Sequence, residues 1–143
     1  MKILVSACLL GARCRYDGAS KMHPDIKALM EQHTLIPVCP EQLGGLSTPR
    51  PPAERQGARV LTAAGVDVTL QYERGAEEIL RLCQLFACEA AVLKERSPSC
   101  GHGKIYDGTH TGTLADGDGV AAEYLLAHGI PVYGESQIKE LLK

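Results

Sequence analysis

The chain has 143 residues, 45% of them hydrophobic, with 15 Lys and Arg against 17 Asp and Glu for a formal net charge of −2. That length suits one globular domain, residues 1–143, whose core needs no disulfide support. The charge balance, no Trp and a single Phe argue against gripping or stacking nucleic acid, and the lack of a long apolar run points to a soluble, cytoplasmic protein with no membrane partner.

Residues 3–7 read as a first strand, apolar on both faces as central parallel strands are, ending at Cys8. Residues 14–18 form a polar loop closed by an Asp-Gly turn. Pro24 opens a helix with Ile26, Leu29 and Met30 on one face. Residues 35–38 are a second strand ending at Cys39, and Pro37 predicts that it is short or bulged. Pro40-Glu41 suits a first helical turn, with the carboxylate at the positive end of the dipole. Residues 47–54 hold too many prolines for a helix or central strand and read as an extended loop. Residues 59–62 and 66–69 read as a hairpin turning at Gly65.

Tyr72, Ala76, Ile79, Leu80, Cys83, Phe86 and Ala87 recur at threes and fours, which predicts an amphipathic helix. Cys83 is then a buried core thiol, and Cys88 is a structural residue at the helix end. Residues 90–93 are a third buried strand, followed at once by a loop dense in Ser, Pro, Cys and Gly. Residues 104–112 read as irregular. A helix runs from Val120 to Ala127, a last strand covers 130–133, and Ser136 caps a C-terminal helix.

Strands alternating with helices specify the α/β class: a mostly parallel sheet with helices on both faces, in the Rossmann or flavodoxin manner. Crossovers of one hand put the strand ends on one edge, where open α/β sheets place their ligands. Cys8, Cys39 and Cys100 all lie just past strand ends. In a reducing compartment six cysteines suggest metal binding or catalysis rather than disulfides. Thiolates select zinc, copper(I) or iron–sulfur clusters, yet the chain has neither the Cys-x-x-Cys of a zinc ribbon nor a ferredoxin run. Three ligands leave a coordination position open, as catalytic sites do, and Cys14 is the candidate for a fourth that would close it.

Around the trio, Glu41 is placed to act as a general base, or is an ordinary helix N-terminal Glu. Ser97 is placed to hold a substrate or oxyanion, or is a turn hydroxyl. Tyr16 and Asp17 either contact a small molecule or shape their turn. Ser99 offers a second hydroxyl, and Gly101 lets the backbone come close to a bound object. None of the five histidines shows a paired metal spacing.

The motifs Ser6-Ala7-Cys8-Leu9-Leu10-Gly11, Arg15-Tyr16-Asp17-Gly18, Val38-Cys39-Pro40-Glu41-Gln42-Leu43-Gly44-Gly45, Pro49-Arg50-Pro51-Pro52-Ala53-Glu54 and Lys94-Glu95-Arg96-Ser97-Pro98-Ser99-Cys100-Gly101, in this order, resemble the bacterial thiouracil desulfidase family in its short, single-domain form. The resemblance covers nearly the whole chain. It implies a [4Fe–4S] cluster held by Cys8, Cys39 and Cys100, with the fourth iron free for the sulfur of a thiolated base. It puts the family's catalytic carboxylate on Glu41 and its assisting serine on Ser97. The implied reaction replaces sulfur by oxygen without net electron transfer, turning 2-thiouracil into uracil. The alternative is a non-catalytic zinc or cofactor-binding module built on Cys8, Cys14, Cys39 and Cys100. A metal-free thiol enzyme ranks last, because no His partner for Cys8 or Cys100 is evident.

Overall fold

A computed structural model describes residues 1–143. In chain order the elements are β1 (Lys2–Ser6), a 3-10 turn (Ala7–Leu10), α1 (Ile26–Gln32), β2 (Thr34–Val38), α2 (Pro40–Leu43), β3 (Ala53–Gln56) and β4 (Arg59–Thr62). Then follow α3 (Thr69–Leu85), β5 (Ala90–Leu93), β6 (Lys104–Tyr106), β7 (Leu114–Asp116), α4 (Val120–Ala127), β8 (Val132–Gly134) and a 3-10 helix (Glu135–Leu141). Strands β2, β1, β5 and β8 form one sheet in that order, every pair parallel. Val5 is aligned with Pro37 on one side and with Val92 on the other.

The inner strands are apolar on both faces because both faces are covered. Ile3, Leu4 and Val5 are fully buried. Leu4, Ala91 and Leu93 meet Ala76, Ile79, Leu80 and Cys83 of α3 and Ala121, Ala122 and Leu125 of α4. Ile3, Val5 and Val92 meet Ile26 and Leu29 of α1 and Ile138 of the C-terminal 3-10 helix. Each large aliphatic side chain buried this way contributes about 1.5–3 kcal/mol. The α/β architecture read from the alternation of elements is the one observed.

Several local expectations differ from the structure. Pro37 leaves β2 neither short nor bulged, because β2 is an edge strand, where a missing N–H is tolerated. Strand β4 pairs antiparallel with β3 rather than with residues 66–69. Gly57, at φ 60°, makes the tight turn between them. Asp67 Oδ1 instead accepts the Thr69 N–H at 2.9 Å and its hydroxyl, which ends the extended segment and starts α3. Part of the segment read as irregular is a ribbon, β6 against β7, too short for alternation to show. Met30 and Phe86, placed on buried faces, are 55% and 43% exposed. Ser136 does not cap an α-helix. The 3-10 helix starts after Gly134, and the Ser136 N–H and hydroxyl donate to the Glu95 carboxylate at 3.0 and 2.8 Å.

Helices α2 and α3 meet backbone to backbone. A Cβ on Gly75 would lie 2.0 Å from the Pro40 carbonyl oxygen, and one on Gly44 would lie 1.9 Å from that of Gln71. No helix is long and apolar enough to cross a membrane.

Candidate functional site

Three parallel strands end on the same edge of the sheet, and each hands its chain to a cysteine-bearing segment. Strand β1 runs into the 3-10 turn that carries Cys8. Cys39 follows β2 directly and precedes α2. The loop after β5 carries Ser97, Ser99 and Cys100. These segments border one cavity of about 500 Å³, with Cys8, Cys14, Cys39, Cys100 and Glu41 in its wall, a size usual for small-molecule sites.

Cys100 is buried, and the Ser6 hydroxyl donates to its sulfur at 3.4 Å. Burial pushes its thiol up to about 12, against the opposing pull of that hydroxyl. The Cys39 thiol donates to the Cys14 carbonyl at 3.7 Å, and its pKa is raised by its hydrogen bond with the Cys14 thiol and by burial. At Cys14 the bond to Cys39 pulls the pKa down, but the bond to Cys8 and burial outweigh it, so Cys14 is raised as well. No three His, Cys, Asp or Glu side chains gather tightly enough to hold a single metal ion.

Glu41 stands in the first turn of α2 with three protein donors. Arg50 Nε and the Tyr72 hydroxyl both reach Oε1, at 3.0 and 2.9 Å, and the Ser99 hydroxyl reaches Oε2 at 2.8 Å. The Arg50 side chain is 5% exposed and that of Glu41 15%. Removing one member of so buried a pair costs about 3–5 kcal/mol. Arg50 also donates to the Cys14 carbonyl at 2.8 Å, tying the carboxylate to the cysteine loop. Burial, reinforced by Glu41, holds the Tyr72 phenol well above the usual tyrosine range, so it remains an O–H donor.

The two serines divide their tasks. Ser97 Oγ accepts the N–H groups of Ser99 and Cys100 at 3.1 and 2.9 Å, which shapes the loop. Ser99 Oγ lies 3.0 Å from Ser97 Oγ. With the Ser99 proton given to Glu41, Ser97 donates to Ser99, and a hydroxyl chain ends on the carboxylate.

A sequence model of the family described as 2-thiouracil desulfurase matches residues 3–137. The chain belongs to the 2-thiouracil desulfurase family. It is 41% identical to YbbK, an uncharacterized protein of Bacillus subtilis strain 168, over 98% of this chain and 99% of that one. It is 50% identical to a solved structure of the [4Fe–4S]-dependent thiouracil desulfidase TudS, with a TM-score of 0.93, covering 98% of this chain and 94% of that chain. This desulfurase is therefore an enzyme, with the α/β fold of that relative.

Of the residues singled out in the desulfurase sequence, Cys8, Cys39, Cys100, Glu41, Ser97, Ser99 and Tyr16 all line the cavity, as does Cys14. Asp17 and Gly101 are absent from its lining. Asp17 Oδ1 accepts the Ala19 N–H at 2.9 Å and shapes its turn. Gly101 is a packing position: a Cβ there would lie 2.6 Å from Ile105 Cγ2 and 2.7 Å from the Ser97 carbonyl oxygen. Sequence reasoning missed Arg50 and Tyr72 as partners of Glu41. An arginine set among prolines, and a tyrosine on an otherwise apolar helix face, each carry a polar head that needs a partner when buried.

Proposed function

We propose that this chain converts a thiolated pyrimidine to its oxo form, 2-thiouracil to uracil, with a [4Fe–4S] cluster held by Cys8, Cys39 and Cys100. The observation that carries the reading is that these thiols share the wall of one cavity with Glu41. Half-identity to a [4Fe–4S]-dependent thiouracil desulfidase over nearly the full chain supports it. The donor set fits the group: sulfur ligands suit iron–sulfur centres, and they are spread along a wall rather than closed around one ion.

When bound, a cluster with one iron free of protein ligands supplies a Lewis acid for the thiocarbonyl sulfur. The chain's own residues do the rest. Arg50 and Tyr72 occupy Oε1 of Glu41, which leaves Oε2 as the proton-accepting oxygen. Ser99 holds Oε2 until a water takes its place. Glu41 removes a proton from that water, whose oxygen attacks the carbon bearing sulfur. The Ser97 and Ser99 hydroxyls then stabilise the negative charge that develops on the ring. Sulfur leaves as oxygen arrives, so no electrons are gained or lost.

Cys14 borders the same cavity, which favours the zinc module as the second reading. Anaerobic reconstitution with iron and sulfide, followed by an iron count and addition of 2-thiouracil, separates the two. A brown protein with about four irons that releases uracil is the expected result. A colourless protein that binds one zinc and leaves 2-thiouracil intact would put the zinc module first.

A further inference from the structure

A further wall of the cavity is built by β3 and the loop between β6 and β7, including Glu54, Tyr106 and His110. His110 adopts φ 58°, a left-handed conformation uncommon for a residue with a side chain. Glu54 fixes it there: Oε1 accepts the N–H of Gly108 at 3.0 Å and that of His110 itself at 3.1 Å. The other carboxylate oxygen lies 3.7 Å from His110 Nδ1. The far nitrogen, Nε2, is closed off from solvent and bonded to nothing. It is the one buried side-chain nitrogen or oxygen in the protein with no hydrogen-bond partner.

A buried polar atom left unpaired is costly, and native proteins rarely carry one without a reason. Strained backbone likewise gathers where ligands bind. Both features fall here on one ring in the cavity wall, oriented by a carboxylate that makes no contact with Glu41 or the cysteines. A carboxylate facing Nδ1 selects the tautomer protonated there and leaves Nε2 as an acceptor.

We propose that His110 is a substrate-recognition residue whose Nε2 accepts a hydrogen bond from a ring N–H of the thiolated base. The proposal rests on the desulfidase reading and adds to it the group that selects the heterocycle. His110 takes no part in the chemistry at the C–S bond. Its removal weakens ground-state binding and leaves turnover of bound substrate near its original rate.

The test is steady-state kinetics of reconstituted wild type, His110→Phe and His110→Gln with 2-thiouracil and its 1-methyl and 3-methyl derivatives. His110→Phe should raise KM for 2-thiouracil about tenfold with kcat within twofold, the size of one lost hydrogen bond. His110→Gln, which keeps an acceptor, should recover part of that loss. For the derivative methylated at the contacted nitrogen, His110→Phe should change KM by less than twofold, since the bond is already absent. Iron content and melting temperature, measured alongside, should match wild type. An unchanged KM for 2-thiouracil in His110→Phe overturns the proposal, as does the same rise for all three substrates, or a loss confined to kcat. A reconstituted wild type that converts none of the three removes the desulfidase reading, and this proposal with it.

Discussion

Two groups of cysteines occupy this protein, and burial does not tell them apart. Cys83 and Cys88 are 1% and 7% exposed; Cys14 and Cys100 are both 5% exposed. The first pair packs among the apolar side chains of α3, α4 and the sheet, where the Cys83 thiol donates to the Cys88 carbonyl at 3.7 Å. The second group, with Cys8 and Cys39, lies past the strand ends beside Glu41, Arg50 and three serines. The difference is the company each thiol keeps. A buried sulfur among hydrocarbons behaves as a small apolar group, whereas one bordering a cavity with a carboxylate and hydroxyls is equipped for chemistry.

The sharpest way to break this comparison is to exchange ligands between the groups. Cys39→Ser, like Cys8→Ser or Cys100→Ser, should drop reconstituted iron from about four per chain to less than one. Cys83→Ser should keep the full count, and a colourless Cys83→Ser protein would mean that the two groups are misassigned. Next in size, Glu41→Gln should retain its iron while kcat for 2-thiouracil falls about 10²–10⁴-fold, the range for loss of a general base. Uracil release measured by chromatography decides it. Tyr72→Phe removes one of the donors to Glu41 and should lower kcat by no more than about tenfold.

The core pair should respond in stability alone. Cys83→Ala should cost about 1–2 kcal/mol in urea unfolding at unchanged kcat per folded molecule. The smallest effect lies in alkali. Burial raises the Cys88 thiol to about 11 from an ordinary 9.0. Between those pH values the folded chain keeps a proton that the unfolded chain has lost, so rising pH favours unfolding. The melting temperature should therefore fall between pH 9 and 11, and fall less in Cys88→Ala.

The alternation of elements and the cysteines at the strand ends were legible because each rests on local pattern. A strand apolar on both faces must be covered on both, and one-handed crossovers bring its end to the shared edge. What escaped was set by distance in the chain. Residues 53–56 carry no alternation, and only the turn at Gly57 reveals that they pair with β4. The partners of Glu41 come from positions 50, 72 and 99, and no spacing announces that three segments converge on one carboxylate. Asp17 and Gly101 were read from motif neighbourhood, but adjacency along the chain did not place them in the cavity wall.

The contact between α2 and α3 sets a limit on how this protein can be made sturdier. Gly75 sits inside a 17-residue helix, where alanine would ordinarily be the better choice by about 1 kcal/mol. Here the added methyl group would strike the Pro40 carbonyl and push α2 away from α3. The first residue past Pro40 is Glu41, and its phenolic partner Tyr72 lies three residues before Gly75. A thermostabilisation campaign that fills glycines by propensity would thus strengthen a helix and misalign a proton acceptor in the same step, and screening by melting temperature alone would not reveal it.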